Sequence, residues 1–351
     1  MPELTATPMG KNFTLDDGQG RGPLSIARLR FHPTARVLFG QCADRRLGAW
    51  DLDAAPMPSK SGESVAGRFV CSHDAGWIRG FDIHPRGSFL ATGGSDRRLK
   101  LWTLDSATVS ERPTLDVAGH DGWIEGVVFA PDGSKLATIG ADRRLKLWDA
   151  ATLRLVKEEP AHAKFPRDLS FSADGRLIVT VAEDGVAIIW NATTLEVVRR
   201  IETGATNDQQ GQNPGYSGIL RVSLSRDGRW LALGMDRLTL IFETATGHGV
   251  ASIAQAGFDV AFGRKLDVLA TGENTMKLTA HDPASFRPAP APLRRDPRGN
   301  ALPISLPPLA GREILQHSRG EFSVGVAFTT DDAAIAAGKS SGQVNVWTLR
   351  A

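Results

Sequence analysis

Hydrophobic and polar residues alternate with a period of two along several short stretches of the chain. In the segment 95–102, Leu99 and Leu101 alternate with Lys100 and Trp102. This period is that of a β-strand, in which successive side chains point to opposite faces of a sheet. A small residue and Asp96 precede the alternating run, a combination that favours a tight turn. The pattern therefore predicts a turn that leads into a β-strand ending on tryptophan.

The same segment recurs within a longer repeated unit. Residues 141–148 copy it almost letter for letter, and residues 43–50 are a third copy. Around each copy the chain adds a loop with a first strand, a turn with glycine or proline, a second strand of the type Leu-Ala-Thr-Gly, and a fourth strand after the tryptophan. Seven regions align on this unit. Repeats of about 40–45 residues with four strands each are typical of propeller blades.

We therefore predict one domain over residues 1–351, because stacked repeats grow as one body. The predicted unit cores are 26–72, 73–118, 119–160, 161–203, 216–254, 256–317 and 318–350. The last unit has three strands, and an apolar-alternating segment at about 12–16 precedes the first unit. We expect this segment to supply the missing strand and to close the ring, which removes open sheet edges.

The fifth and sixth units are the weakest copies. Phe242 stands at the tryptophan position of unit five, and unit six has no aromatic residue there. Residues 203–218 are rich in Asn, Gln and Gly and predict a solvated loop. Residues 282–308 form a Pro-rich insert between the third and fourth strands of unit six. This insert is either a poorly ordered surface loop or a docking segment.

Composition and charge narrow the function classes only slightly. The chain is 41% hydrophobic with a formal net charge of +2, which is too small to indicate nucleic-acid binding by itself. Cys42 and Cys71 fall on predicted strands two apart, about 9–10 Å at the usual strand spacing, which is too far for a disulfide. The N-terminal segment lacks a signal-peptide pattern, and no apolar run reaches membrane-spanning length. We expect a soluble, cytoplasmic protein.

Together these features resemble the WD-repeat β-propeller family over roughly residues 12–350. The resemblance rests on the His-containing unit start, the Pro-Asp-Gly-type turn, the Leu-Ala-Thr-Gly strand, and an Asp six residues before the Trp. It implies an all-β fold, a single seven-bladed β-propeller of four-stranded antiparallel blades. It also implies a hydrogen-bonded tetrad of His, Ser or Thr, Asp and Trp in each complete blade. In units two to four the matching residues are His73, Thr92, Asp96, Trp102, His120, Thr138, Asp142, Trp148, His162, Thr180, Asp184 and Trp190.

The His, Thr and Asp of these tetrads are also the residue types of a catalytic triad. A catalytic set occurs once and converges on one cleft, whereas this set recurs in three units beside a Trp. We interpret these His residues as structural. The eight His residues show no metal-ligand spacing, and no glycine-rich phosphate loop occurs. We expect no catalytic residue, cofactor, metal or small-molecule substrate, and we find no converging His, Glu or metal ligands on the innermost strands.

The arginines of the Asp-Arg-Arg turns are the first candidate binding residues. The turns between second and third strands lie on one rim of the predicted propeller, and the six arginines there are Arg45, Arg46, Arg97, Arg98, Arg143 and Arg144. The guanidinium fork suits carboxylates and phosphates. This sector either binds an acidic protein surface or peptide, or it reflects duplication of a blade with solvated side chains.

A second candidate set opens the first strands on the same rim, at positions that resemble the top-face contact sites of the family. Its members are Trp77, Arg79, Trp123, Glu125, Phe165 and Arg167. Aromatic and arginine residues often dominate interfaces. Alternatively, the rings of Trp77 and Trp123 pack between neighbouring blades.

The sequence thus predicts a non-catalytic protein–protein interaction scaffold whose partners are acidic proteins or peptides. A nucleic-acid-binding propeller that uses the arginine sector is an alternative, which the low net charge disfavours. A propeller enzyme with a site in the central channel is a further, less favoured alternative. The identity of the partner is not encoded in such a fold.

Overall fold

All regular secondary structure in the described residues is β-strand. The computed structural model describes residues 5–15, 24–42, 46–53, 64–73, 76–106, 108–204, 218–236, 238–254, 259–272, 276–281, 286–289, 305–309, 311–317, 323–339, 341 and 343–350. Within these residues there is no helix with the length and apolarity to cross a membrane.

The strands are short and follow one another closely. In the first part of the chain they are β1 (Thr5–Thr14), β2 (Ile26–Phe31), β3 (Val37–Cys42), β4 (Arg46–Asp51), β5 (Ser64–Ala66), β6 (Arg68–Ser72), β7 (Ile78–Ile83), β8 (Phe89–Gly94), β9 (Arg98–Asp105), β10 (Thr108–Val109), β11 (Leu115–Ala118), β12 (Ile124–Phe129), β13 (Lys135–Gly140), β14 (Arg144–Asp149) and β15 (Leu155–Pro160). In the second part they are β16 (Pro166–Phe171), β17 (Leu177–Ala182), β18 (Val186–Asn191), β19 (Val197–Glu202), β20 (Arg221–Leu224), β21 (Trp230–Gly234), β22 (Leu238–Glu243), β23 (Gly249–Ala254), β24 (Asp259–Phe262), β25 (Val268–Gly272), β26 (Met276–His281), β27 (Gly311–His317), β28 (Ser323–Phe328), β29 (Ala334–Lys339) and β30 (Val344–Arg350).

These strands pair into separate small sheets, which we number in chain order. Sheets 1 to 6 are β2-β3-β4-β6, β7-β8-β9-β11 with β10 beside β9, β12 to β15, β16 to β19, β20 to β23, and β24 to β27. Sheet 7 is β28-β29-β30-β1-β5, in which only the short β1–β5 pairing is parallel among the described strands. The predicted all-β class and the β-propeller arrangement of antiparallel four-stranded sheets are confirmed. Cys42 on β3 and Cys71 on β6 flank β4, as the strand assignment predicted.

The hydrophobic core lies between neighbouring sheets. Phe39 of sheet 1 is fully buried in one cluster with Phe81 and Trp102 of sheet 2, and equivalent clusters join the later sheets. Burial of each such side chain contributes about 1.5–3 kcal/mol. The first strands of sheets 2 to 7 lie side by side in chain order, since β7 contacts β12, β12 contacts β16, β16 contacts β20, β20 contacts β24, and β24 contacts β28. Sheet 1 lies between the ends of this row, since β2 contacts β28 and β3 contacts β7.

The N-terminal strand pairs with the last strand of the chain. The segment expected at 12–16 is the end of the longer strand β1, which runs antiparallel to β30 with Phe13 opposite Val344. Residue 16 lies outside the described residues. Trp50, whose unit lacks a tetrad hydroxyl, donates its indole N–H to the Thr14 carbonyl at 3.0 Å. A Cβ at Gly40 would lie 2.8 Å from the Trp50 ring, so glycine makes room for that ring.

The sixth unit, the poorest copy in the sequence, has all four strands, β24 to β27, in an antiparallel ladder. The described ends of the Pro-rich insert, 286–289 and 305–309, lie against strand β23 of sheet 5. The Ser252 N–H donates to the Pro307 carbonyl at 2.6 Å, and the Leu309 N–H donates to the Ser252 carbonyl at 2.8 Å. For these two stretches the interpretation as a poorly ordered loop is wrong. Residues 290–304 of the insert and 205–217 of the loop 203–218 lie outside the described residues.

Candidate functional site

Entry loops and hairpin turns meet at one end of sheets 2 to 4. The Ser95 N–H donates to the Trp77 carbonyl at 2.9 Å, and the Ala141 N–H donates to the Trp123 carbonyl at 2.7 Å. In sheet 4 the Glu183 N–H makes the same bond to a loop carbonyl, that of Phe165. We call these loops and turns of sheets 2 to 4 the top rim. The turn arginines of sheets 2 and 3 and the loop aromatics of sheets 2 to 4 therefore belong to one surface.

The tetrad of sheet 3 is a continuous hydrogen-bond chain beneath the top rim. The Trp148 indole N–H donates to Thr138 Oγ1 at 2.9 Å, and His120 Nε2 lies 2.7 Å from the same hydroxyl. His120 Nδ1 lies 2.8 Å from a carboxylate oxygen of Asp142. Because the carboxylate only accepts, a neutral imidazole with its proton on Nδ1 satisfies every group, and the threonine hydroxyl donates to Nε2.

Sheets 2 and 4 carry the same chain. In sheet 2, His73 lies 2.8 Å from Thr92 Oγ1 and 2.8 Å from the Asp96 carboxylate, and the Trp102 N–H donates to the threonine at 2.9 Å. In sheet 4 the corresponding contacts join His162, Thr180, Asp184 and Trp190 at 2.9–3.1 Å. Each set is enclosed within its own sheet, and the three sets do not converge on a common cleft.

The tetrad aspartates stay ionised within these chains. Burial acts to raise the pKa of Asp142, but the hydrogen bonds from His120 and from the backbone N–H groups of Asp121 and Arg144 outweigh it, so the pKa of Asp142 is lowered. Burial lowers the pKa of His120, in keeping with a neutral ring. The pKa of Asp96 and that of Asp184 are lowered in the same way as that of Asp142. An ionised carboxylate that also accepts backbone N–H groups holds the turn above it in place.

Arg97 and Arg143 occupy an unusual backbone position at the tips of these turns. Their φ angles are 67° and 65°, and the equivalent residue of sheet 4 is Gly185 with φ 72°. In this left-handed region a residue with a Cβ costs roughly 1–2 kcal/mol, whereas glycine adopts it freely. Both arginines are exposed, and Arg143 Nη1 donates to the Ala163 carbonyl at 3.2 Å.

Of the six arginines expected to face solvent, Arg97 and Arg143 do so, whereas the described second arginine of each turn has a partner in its own sheet. Arg98 contacts Asp116 at 2.5 Å, and Arg144 contacts Glu158 at 3.1 Å. The guanidinium of Arg46 lies 3.2 Å from the ring centroid of a phenylalanine on β6. The second arginine of each turn is the first residue of a third strand, so its side chain lies beside the fourth strand and pairs there. Arg45 lies outside the described residues.

The aromatic set of the top rim forms a connected surface across sheets 2 to 4. Trp77 and Trp123 are 50% and 47% exposed. The guanidinium of Arg79 lies 4.9 Å from the Trp123 ring centroid and forms an ion pair with Glu125.

The ring of Phe165 meets Trp123 edge to face, with centroids 6.4 Å apart. Arg167 completes the row 5.1 Å from the Phe165 ring, and it forms an ion pair with Glu183. Trp123 thus contacts a neighbouring sheet and still presents half of its surface to solvent.

Arginine–aspartate ion pairs on the innermost strands were missed by the sequence analysis, which considered only His, Glu and metal ligands there. Arg28 of β2 donates to Asp168 of β16 at 2.9 Å, and both side chains are buried. Arg28 also donates to the Arg167 carbonyl at 3.1 Å. Charged residues inside predicted first strands were the available signal. The others of this inner group are Arg30, Asp82, Glu125, Arg221 and Asp259.

Each aspartate of this inner group ties its sheet to the next one. Asp82 accepts the Phe129 N–H at 2.9 Å, Asp168 accepts the Val222 N–H at 3.2 Å, and Asp259 accepts the Val326 N–H at 2.6 Å. Burial raises the pKa of Asp82 and of Asp259 despite the arginine beside each one. These contacts join sheets rather than leave a reactive group open. Among the described residues there is no group of three or more His, Cys, Asp or Glu that could hold a metal ion.

A comparison with protein-family models finds repeats in the same three parts of the chain as the tetrads. Three stretches match the family model described as WD domain, G-beta repeat, at residues 67–103, 111–149 and 153–191. They contain the Asp and Trp of sheets 2, 3 and 4. A comparison with curated proteins finds no significant match.

Proposed function

We propose that this protein, whose three WD40 repeats are those of the WD-repeat β-propeller family, is a non-catalytic scaffold that binds acidic protein partners through its top rim. Propellers of this family generally mediate protein–protein interaction. The tetrads favour a scaffold role, because their hydrogen bonds hold the turns and loops of the top rim in one conformation. A fixed surface lowers the entropy lost on binding.

We further propose that sheets 1 to 7 are the blades of one ring, which β1 closes. The contact of β28 with β2 and the pairing of β1 with β30 support this closure. The bond from Trp50 to the Thr14 carbonyl adds a link between the closing strand and sheet 1. A closed ring has no terminal first strand open to another chain.

The observation that carries the binding proposal is that the top rim presents both exposed aromatic side chains and arginines with a strained backbone. Trp77 and Trp123 expose about half of their surface, although Arg79 holds the Trp123 ring in place. Arg97 and Arg143 stand where glycine is favoured. Strain of this kind persists at functional sites, and Trp and Arg are the residues most enriched at the centres of interfaces.

Affinity capture tests this proposal with variants that spare the fold. The double variant Arg97→Gly with Arg143→Gly removes the guanidinium groups at the tips of two rim turns, at positions that glycine suits. The control is Arg176→Gly, which removes an exposed arginine from the turn between β16 and β17, at the opposite end of sheet 4. The lysate is treated with nuclease, so that a nucleic-acid bridge is eliminated.

We expect the wild type and the control to capture the same protein and the double variant to lose it, with no fall in melting temperature. Equal capture by all three would contradict a role of these arginines. Capture that disappears on nuclease treatment, with a steep loss of binding as salt is added, would favour the nucleic-acid alternative.

A further inference from the structure

The outer edges of sheets 3 and 4 expose a second apolar surface, away from the top rim. Leu155 and Val156 begin β15, Val197 and Val198 begin β19, and all four are between 40% and 54% exposed. The pairs occupy the same place in two neighbouring sheets, because Leu155 lies opposite Trp148 and Val197 opposite Trp190. We call β15 and β19 with these four side chains the outer edge. Among the described residues, the other large hydrophobic side chains with such exposure are those of Trp77 and Trp123.

The backbone of the outer edge is open as well. β15 and β19 are the last strands of their sheets, and no described strand pairs with their free sides. Sheets 5 and 7 differ, because other parts of the chain cover their edges. The insert bonds to Ser252 of β23, and β5 pairs with β1 through Asn12, Phe13 and Thr14. An exposed apolar edge strand is a site for the addition of another strand.

The charges beside the valines indicate what kind of segment fits. Arg199 and Arg200 follow Val198 on β19, and Arg200 is exposed. Within the described residues the guanidinium group of Arg200 forms no ion pair. Lys157 of β15, in contrast, is paired with Glu159 at 3.4 Å and also reaches the Thr194 carbonyl. The guanidinium group of Arg200 is therefore available for carboxylates.

A second copy of this chain fits β19 poorly. Antiparallel pairing of β19 with its own copy, centred on the strand, would place Arg199 of one copy opposite Arg200 of the other. Like charges directly opposite each other across a strand pair are destabilising. The occupant that the charges favour is a different chain.

We propose that β19 receives an extended segment of a partner protein, which adds as a strand and carries aliphatic residues at alternate positions followed by Asp or Glu. Backbone hydrogen bonds to β19 supply affinity. The aliphatic side chains cover Val197 and Val198, and the carboxylates meet Arg200. This surface is independent of the top rim, so the scaffold has two places at which partners bind.

Short random peptides displayed on phage test the proposal against the full chain. Selection on wild type is followed by counter-selection on Val198→Lys, because lysine on an edge strand blocks strand addition. Val198→Thr is the matched control, since it keeps a β-branched residue and a favourable strand propensity. Arg200→Glu is a second variant at an exposed position. A peptide from the enriched class is then synthesised and titrated against each protein.

We expect the enriched peptides to alternate aliphatic residues and to end in acidic ones. The synthetic peptide should bind Val198→Lys and Arg200→Glu at least about tenfold more weakly than wild type, a difference of about 1.4 kcal/mol. Val198→Thr and Trp123→Ala should bind it like wild type, and the amides of β19 should gain protection from hydrogen exchange. The proposal is overturned by the absence of an enriched class, by equal binding to Val198→Lys, or by wild-type self-association that Val198→Lys abolishes.

Discussion

At the scale of one residue, Arg143 of the top rim is not the residue that would make its turn most stable. Its turn requires a positive φ, which Gly185 provides in the next sheet. Arginine is strained there, so another property of its side chain accounts for its presence. The guanidinium group is exposed at the rim and makes one hydrogen bond to a loop carbonyl.

Arg143→Gly should raise the free energy of unfolding by about 0.5–1 kcal/mol, because relief of the left-handed strain exceeds the entropy that glycine loses. Urea denaturation measures the change. Arg176→Gly, at a position without a positive φ, should instead lower the stability by about 0.5–1 kcal/mol. A loss of stability in Arg143→Gly equal to that of the control would contradict the assignment of strain.

His84 gives the protein a pH dependence that a single substitution should reduce. Burial lowers the pKa of His84, although its bond to the Gly133 carbonyl acts the other way. The folded state thus favours the neutral ring, so the unfolded state takes up protons first as the pH falls below the ordinary value of about 6.5. Stability should be full above that pH and decline below it until the folded state also titrates.

The measurement is the free energy of unfolding at a series of pH values for wild type and His84→Gln. The variant should show a shallower decline below about pH 6.5. The pKa of His32 is also lowered by burial, so His32 should account for part of the decline in stability that remains in the variant. Identical slopes in the two proteins would show that His84 does not contribute.

At the scale of elements, the Pro-rich insert reinforces the two sheets with the weakest repeats. Phe286 lies 4.8 Å from the Trp230 ring of sheet 5 and stacks on His281 of sheet 6 at 5.2 Å. The other end of the insert bonds to Ser252 of β23. Sheets 5 and 6 lack most of the tetrad residues that stabilise each sheet from within, and the insert adds a contact between the two sheets to those that their strands make.

Phe286→Ala should lower the free energy of unfolding by about 3–5 kcal/mol, as truncation of a buried phenylalanine does. Hydrogen exchange should show the loss of protection first in β23. Phe165→Ala is the control, and we expect a smaller effect because that ring is partly exposed. Equal effects of the two substitutions would mean that the insert does not stabilise these sheets.

The elements were more predictable than their contacts. The period of two in Leu-Lys-Leu-Trp is local, and it correctly predicted β9 and β14. The pairing of Arg98 with Asp116 depends on the alignment of two strands, which the repeat pattern does not state. The docking of the insert on sheet 5 depends on how two blades lie side by side. The bond from Arg28 to Asp168 links residues 140 positions apart, so no local pattern indicated it.

At the scale of the whole molecule, the inner group connects sheets that are distant in the chain. Arg28 of sheet 1 bonds to Asp168 of sheet 4, which in turn accepts an N–H from sheet 5. Burial lowers the pKa of Arg28, but the charge and hydrogen bond of Asp168 outweigh it, and the pKa is raised. The guanidinium therefore stays charged, and its loss would leave a buried carboxylate without its ionic partner.

Arg28→Met should lower the free energy of unfolding by about 3–5 kcal/mol. Asp168→Asn should lower it much less in the Arg28→Met variant than in the wild type, because the ion pair is already broken there. Chemical denaturation of the two single variants and the double variant measures this coupling. Additive costs would show that the ion pair does not act as a unit across the inner strands.

The central claim is that partners bind at the top rim, and Trp123→Ala tests it most directly. The measurement is the amount of partner captured, read beside the melting curve, with Arg176→Ala as a control for the loss of an exposed side chain outside the top rim. We predict loss of capture in Trp123→Ala with at most about 1 kcal/mol of destabilisation, and unchanged capture in the control. Unchanged capture by Trp123→Ala, or a large fall in its melting temperature, would contradict the claim and assign the ring to packing between blades.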